Sequence, residues 1–300
     1  MDLRKPHAHP LGFDTFLLAL AVFGVVIAGV SFTRGGPWYL LGYTALIGEL
    51  LLIYSAWIEP RRLVVKIYRE ALQPKPQVWI KLIFLSDLHA GGFHPVTWYA
   101  RIARQVERLQ PDLIILGGDY VTDRYEPIVE LKPLADLSAP LGKYFVLGNH
   151  DLVDWPHKLR ETLVSFGYVD LTNRLVLLKH HNRVCELYGV DDTWYGHPQW
   201  MARASSTLPH LTISHEPDFM LDMSPGQTDL VLSGHTHGGQ VCLPLLGALW
   251  PIPCKLGRKL YRGRTVVNGV PCVISNGLGE TDGRLRLFSA PQIVVVYVGI

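Results

Sequence analysis

Asp87 and His89 in SDLH, Asp119 in GGD, Asn149 and His150 in GNHD, His215 in SHEPD, and His235 and His237 in GHTH form an ordered series of metal-competent side chains. Any one of these short motifs arises by chance in a chain of 300 residues; the ordered series does not. Two divalent cations about 3.5–4 Å apart repel each other, and a carboxylate between them offsets the repulsion while binding both. Asp119 suits that bridging place. Neutral imidazoles, carboxylates and an amide oxygen make a mixed nitrogen and oxygen shell, which favours manganese, iron or zinc over calcium. Such a pair lowers the pKa of a shared water, orients a phosphoryl group and neutralises charge growing on the attacked phosphate. Glycines beside the ligands let the backbone turn sharply and approach closely. His235 and His237, at alternate positions, share one side of an extended or turning segment, so each can reach a different metal.

The elements that must position these residues are apolar runs that end in them. VWIKLIFLSD stops at Asp87, DLIILGGD at Asp119, GKYFVLGNHD past His150, HLTISHEPD past His215 and DLVLSGHTH at His237. PVTWYARIARQVERLQ has the period of an amphipathic helix, and RVCELYGVDD, VPCVISNG and PQIVVVYVG read as further strands. Strands that alternate with helices and end in polar residues predict an α/β domain whose site lies at the carboxyl ends of the strands. A formal net charge of +2 gives no sign of a nucleic-acid surface. No G-x-S-x-G elbow is present, and the glycine-rich GGD and SNGLGETDG lack the lysine of a P-loop. Cys185, Cys242, Cys254 and Cys272 show no C-x-x-C spacing and read as reduced thiols.

Ahead of this domain, residues 14–32 and 38–58 are nearly uncharged apolar runs. Roughly 20 such residues in a helix cross a hydrocarbon core of about 30 Å, and the short TRGGP link makes the pair a transmembrane helical hairpin. The immediate second run disfavours a cleaved signal peptide. Arg4 and Lys5 precede the hairpin, Arg61, Arg62, Lys66, Arg69 and Lys75 follow it, and Arg34 lies between. The positive-inside rule then places both ends, and the domain that follows, on the cytoplasmic side. The predicted organisation is a membrane hairpin with a basic linker over residues 1–75 and a catalytic domain over 76–300. Glu49 inside the second run either packs against the hairpin or an oligomer partner, or serves a function. Asp14 falls at the membrane interface, and His7 and His9 are too sparse for a metal tail.

In order and spacing, SDLH, GGDYVTD, GNHD, SHEPD and GHTHGGQ resemble the signature blocks of the calcineurin-like metallophosphoesterases, over about residues 78–299. The resemblance implies two mixed β-sheets sandwiched between helices. It implies one metal on Asp87, His89 and His237 and another on Asn149, His215 and His235, with Asp119 bridging and Mn²⁺ as the leading ion. It also implies that His150 contacts the phosphate and helps stabilise or protonate the leaving oxygen, that Asp151 orients His150, and that water attacks phosphorus directly without a phosphoenzyme. Asp123 is either a hydrogen-bond partner behind the ligands or an exposed loop acid. The two N-terminal runs, SHEPD, LSGHTHGGQ and the ending SNGLGETDGRLRLFSAPQIVVV are further similar to a bacterial membrane-associated branch of YaeI and YkuE type, which includes an alternative UDP-2,3-diacylglucosamine pyrophosphatase of lipid A synthesis. That likeness implies hydrolysis of this lipid-linked nucleotide to lipid X and UMP. A phospholipid or general phosphodiesterase is the second reading.

Two further stretches bear on the substrate. CLPLLGALWPIPC, residues 242–254, either dips into the membrane interface or lines an acyl groove, or else is an ordinary packed loop. Trp194, Tyr195 and Trp200 in DDTWYGHPQW offer stacking for a base or cover for acyl chains, or else pack structurally. A reading of another class is a catalytically silent membrane scaffold that binds phospholipid. Such a module has little need for open metal positions and His150, and hydrolysis of bis(p-nitrophenyl) phosphate discriminates the two.

Overall fold

The computed structural model describes residues 10–201, 203–255 and 257–300, so Arg4, Lys5, His7 and His9 lie outside the described residues. Helices α1 (Pro10–Arg34) and α2 (Trp38–Ile53) come first, and Gly35 and Gly36 between them both take the left-handed backbone that a tight reversal requires. A π turn (Tyr54–Ile58) and a 3-10 turn (Glu59–Arg61) extend α2. The two apolar helical runs, Gly12–Arg34 and Trp38–Arg61, are each long and apolar enough to cross a membrane. Leu18, Phe23, Leu40 and Leu50 on them are exposed. The helices meet at small residues: a Cβ on Gly24 would overlap the Glu49 carboxylate, and one on Gly42 would overlap the Phe32 ring. Glu49 is therefore buried against α1.

The segment read as a basic linker instead contains a strand, β1 (Val64–Ala71), which pairs in parallel with the last strand of the chain, β14 (Gln292–Gly299). Its exposed Lys66 and Arg69 suit the edge of a sheet, where charge discourages pairing with other chains. The first sheet runs β1, β14, β2 (Trp79–Leu85), β3 (Leu113–Gly117), β4 (Lys143–Val146) and β5 (Val169–Asp170), with only the β14–β2 pair antiparallel. The second runs β12 (Gly263–Val267), β13 (Val270–Ile274), β9 (Leu230–Ser233), β8 (His210–Ile213), β7 (Arg183–Gly189) and β6 (Arg174–His180), antiparallel only at its two edges. Between these strands, Cys242–Leu243 (β10) and Gly247–Ala248 (β11) form a small hairpin.

Both faces of β2 are covered, which explains its nearly unbroken apolar sequence. Leu82 and Phe84 enter a core shared with Leu187, Leu211, Ile213 and Leu232 of the second sheet. Ile83 and Leu85 point the other way, onto Tyr99, Ile102 and Val106 of helix α3 (Val96–Leu109). Each such buried side chain contributes about 1.5–3 kcal/mol. Helix α4 (Pro156–Ser165) adds Leu159 and Leu163 to the same outer layer. Together these elements make two mixed sheets face to face with helices outside. Cys185, Cys242 and Cys272 are buried free thiols.

Candidate metal centre

Parallel strands end at one edge, and here five of them release the polar residues there. β2 leads into Asp87 and His89, β3 into Asp119, β4 into Asn149 and His150, β8 into His215, and β9 into His235 and His237. The register of β2 on β3, Leu82 opposite Leu113 through Leu85 opposite Leu116, brings the two following loops level. Backbone bonds then tie the loops together: Asp87 N donates to Gly118 O at 2.9 Å and His89 N to Asp119 O at 3.1 Å. Asp87 Oδ1 accepts from His235 N at 2.8 Å, and Asp119 Oδ1 accepts from His150 N at 3.0 Å.

Five of these residues hold a left-handed backbone, with φ of 53° at Asp87, 45° at His89, 55° at Asp119, 69° at His235 and 49° at His237. Such a conformation costs a non-glycine residue about 1–3 kcal/mol and persists only where its surroundings enforce it, which is characteristic of functional sites. Glycines make room for the crowding. A Cβ on Gly118 would stand 2.6 Å from His215 Nδ1, and one on Gly234 would stand 2.6 Å from Asp87 Oδ2.

Each imidazole is held from behind. His215 Nδ1 donates to Gly117 O at 2.7 Å, His237 Nδ1 to Gly279 O at 3.1 Å, and His235 Nε2 to Pro253 O at 2.8 Å. His89 Nδ1 lies 3.3 Å from Thr122 Oγ1. A carbonyl accepts only from N–H, so in a neutral imidazole it fixes the tautomer and leaves the opposite nitrogen as a bare lone pair. Those opposite nitrogens converge. His215 Nε2 is 3.0 Å from Asp119 Oδ2, His89 Nε2 is 3.7 Å from the same oxygen, and His237 Nε2 is 3.6 Å from Asp87 Oδ1. His235 Nδ1 stands 3.0 Å from Asn149 Oδ1. Asp87, His89 and His237 form one compact triad and Asp119, His215 and His235 another, with ligand atoms in each within 4.8 Å of one another.

The donor set fits two divalent ions. His89 Nε2 and His237 Nε2 face each other at 3.1 Å, and Asp87 Oδ2 is buried with no hydrogen-bond partner. Burial and the charge of His150 push His89 down to about 3, burial and His215 push His235 down to about 4, and burial and His89 hold His237 well below the usual range. All three imidazoles are therefore neutral, the form that binds metal. Burial pushes Asp87 up to about 6 against the pull of His215. Burial alone would raise Asp119 too, yet His215 and His150 hold it well below the carboxylate range. Asp119 reciprocally overcomes burial at His215 and holds that imidazole well above its ordinary value. The cluster thus calls for positive charge beside Asp119, which a divalent ion would supply with His215 neutral.

The residues around His150 differ from the sequence-based expectation. Asp151 does not orient the imidazole: its carboxylate accepts from the backbone N–H groups of Asp119 and Tyr120 at 2.7 Å and of Gly148 at 2.9 Å. The residue that holds His150 is Asp123, whose Oδ1 lies 2.6 Å from His150 Nδ1. Burial would lower His150, but Asp119 and the hydrogen-bonded Asp123 push it up to about 9. Trp194 stands at the rim, half-exposed and edge-on to His235 at 4.6 Å, with the exposed Tyr195 beside it. Trp200 is elsewhere, packed among Tyr188, His210 and Phe219 behind the second sheet. Thr122 and the carbonyls of Gly117, Pro253 and Gly279 were invisible to sequence reading, since a carbonyl carries no residue signature.

Strand-end carboxylates, imidazoles and an amide oxygen around a shared aspartate, on a sandwich of two mixed sheets, define a metal-dependent phosphoester hydrolase. Residues 80–239 match the calcineurin-like phosphoesterase family, and the chain belongs to it. The family uses a dimetal centre, which agrees with the donor set just described. Among its relatives, phosphodiesterase YaeI of Escherichia coli (strain K12) is 31% identical over 248 residues, covering 80% of this chain and 88% of the relative. The uncharacterized metallophosphoesterase YkuE of Bacillus subtilis (strain 168) is 27% identical over 91% of this chain and 93% of its own length. UDP-2,3-diacylglucosamine pyrophosphatase LpxG of Chlamydia muridarum (strain MoPn / Nigg) is 27% identical over 72% of this chain and 83% of its own.

Proposed function

We propose that this chain is a membrane-embedded pyrophosphatase that cleaves UDP-2,3-diacylglucosamine to lipid X and UMP, with its catalytic domain on the cytoplasmic side of a bacterial inner membrane. The observation that carries the hydrolase is the convergence of carbonyl-fixed imidazoles on Asp87 and the shared Asp119. The lipid-linked substrate is supported by the two apolar helices and by the relative named for that activity. Orientation is supported by the basic residues Arg61, Arg62, Lys66 and Arg69 after the second helix. The substrate partner is thus a lipid in the bilayer rather than a nucleic acid.

Two divalent ions, Mn²⁺ in the first instance with Fe²⁺ or Zn²⁺ as other occupants, would be held by Asp87, His89 and His237 and by Asn149, His215 and His235 around Asp119, supplying Lewis acidity and an activated water. This chain's own contribution is positional and acid–base. His150, kept cationic by Asp119 and the hydrogen-bonded Asp123, offers Nε2–H to a phosphoryl oxygen and then a proton to the leaving oxygen. Asp151 shapes the turn that presents Asn149 and His150.

The test is incubation of the detergent-solubilised protein with Mn²⁺ and UDP-2,3-diacylglucosamine, following UMP and lipid X by mass spectrometry beside Asp119→Ala. Cleavage lost in the variant supports the proposal. No cleavage while bis(p-nitrophenyl) phosphate is still hydrolysed would select the second reading, a phospholipid or general phosphodiesterase, which the name of the Escherichia coli relative favours. Inertness toward both with every metal tried would leave the silent scaffold.

A further inference from the structure

A cavity of about 200 Å³ opens directly beside His235 and His237, and one of its walls is the first apolar helix, through Phe13. Trp250, Ile252 and Leu285 provide the other apolar walls. Two of the polar side chains among its walls are engaged elsewhere: Gln240 Nε2 donates to Thr281 O at 2.9 Å and Gly283 O at 3.1 Å, and Thr236 Oγ1 donates to Tyr261 O at 2.7 Å, while Thr281 and Asp282 add a polar strip on the side of Gly283. The wall formed by Phe13, Val241, Trp250, Ile252 and Leu285, away from the two imidazoles and from Asp282, suits hydrocarbon better than a base or a sugar.

The cavity is continuous with the base of the hairpin. Asp14 Oδ2 of α1 lies 3.4 Å from Arg284 Nη2, Phe13 packs against Phe93 at 5.9 Å, and a Cβ on Gly283 would stand 2.8 Å from the Phe13 ring. At the end of the other apolar run, Ser55 O accepts from Arg286 N at 2.9 Å. Beyond the cavity mouth, Leu245, Leu246, Leu249 and Trp250 are exposed on one loop, and Lys255, Arg258 and Lys259 are exposed just after it. Apolar tips flanked by basic residues are the composition of a segment that rests in the headgroup region of an anionic bilayer.

We infer that this cavity is an acyl-chain subsite. One acyl chain of a phosphoester-bearing lipid leaves the bilayer along α1, passes Phe13 and lies against Trp250, Ile252 and Leu285, while its phosphoryl group reaches His235 and His237. This rests on the phosphoesterase reading above and adds to it that the hairpin is part of the substrate site, not a tether alone.

The test uses the full-length, Mn²⁺-loaded protein in vesicles containing phosphatidylglycerol with a diazirine in one acyl chain. After illumination, adducts are mapped by mass spectrometry in the wild type and in Ile252→Asp and Trp250→Ala. The expected result is adducts on residues 249–253 and 281–285, reduced about tenfold in either variant relative to those on the outer faces of α1 and α2. Adducts confined to those outer faces would overturn the subsite. Hydrolysis of bis(p-nitrophenyl) phosphate by the same wild-type preparation separates the two conclusions. If it is present without cavity adducts, the subsite fails and the phosphoesterase stands; if it is absent with cavity adducts, the reverse holds.

Discussion

Asp151→Asn distinguishes a carboxylate that builds the site from one that orients the catalytic imidazole. In the wild type, Oδ2 accepts from Asp119 N at 2.7 Å and from Gly148 N at 2.9 Å, while Oδ1 accepts from Tyr120 N at 2.7 Å. Asparagine keeps one oxygen. Placed at the Oδ2 position it preserves two of these bonds and turns its amide NH₂ toward the Tyr120 N–H. One buried donor left without an acceptor costs about 1–3 kcal/mol. In a domain of this size each kcal/mol moves Tm by about 2–4 °C, so Tm should fall by about 2–12 °C. Alanine would orphan all three donors, about 3–9 kcal/mol on the same rule. That is comparable with a typical total stability of about 5–15 kcal/mol, so Asp151→Ala should not accumulate as folded protein. The assay is thermal unfolding followed by tryptophan fluorescence, together with kcat on bis(p-nitrophenyl) phosphate per mole of bound Mn²⁺. The expected result is a lower Tm with kcat per bound metal nearly preserved. An unchanged Tm with kcat lower by about a hundredfold, the scale of a lost acid–base function, would refute the reasoning and return Asp151 to His150.

Asp123→Asn should do the opposite. It removes a charged hydrogen bond worth about 1.5–3 kcal/mol, hence about tenfold to a hundredfold in kcat, and the alkaline limb of the pH profile should move to lower pH as His150 loses a neighbouring charge; an unmoved limb would sink this role. Gly148→Ala would drive a methyl group into the Asp119 carboxylate, and elemental analysis should find less metal per chain than in the wild type. Burial raises Glu280, but His94 and Arg286 outweigh it and hold the carboxyl below its ordinary 4.5. Its stabilising effect is therefore complete above about pH 4.5 and lost as pH falls through the lower folded value. Tm of the wild type should drop more steeply with acid than that of Glu280→Gln, and parallel curves would contradict this. Chelation should abolish hydrolysis and lower Tm, with both restored by Mn²⁺, because the ions bind only the folded protein; activity that survives exhaustive chelation would exclude the dimetal reading.

The candidate metal cluster is legible in the sequence because every member follows an apolar run, and parallel strands bring such run ends to one edge. Adjacency along the chain is a poorer guide. Asp151 follows His150, but both sit in the 3-10 turn Asn149–Leu152, where successive side chains diverge. Asp123, 27 residues away in sequence, is the one that reaches the ring. β1 is hidden because Lys66 and Arg69 break its apolar pattern, and its partner β14 lies at the far end of the chain. Trp200 cannot be told from Trp194 by composition, since only the path of the loop decides which indole meets His235 and which meets Phe219. The left-handed backbone at five ligands leaves no trace in sequence except the glycines that make space for it.

Glu59 has a practical consequence for anyone producing a soluble form. Its two carboxylate oxygens accept from Phe288 N at 2.9 Å and Ser289 N at 2.7 Å, and the Ser289 hydroxyl donates to the carbonyl of His237 at 2.9 Å. A truncation placed at the start of β1, where the globular part begins to the eye, deletes that clamp and loosens the loop beneath a metal ligand. Crystallisation trials should keep Glu59 and trim upstream of it, and poor metal retention in shorter fragments would reflect where they were cut and not how the full-length enzyme behaves.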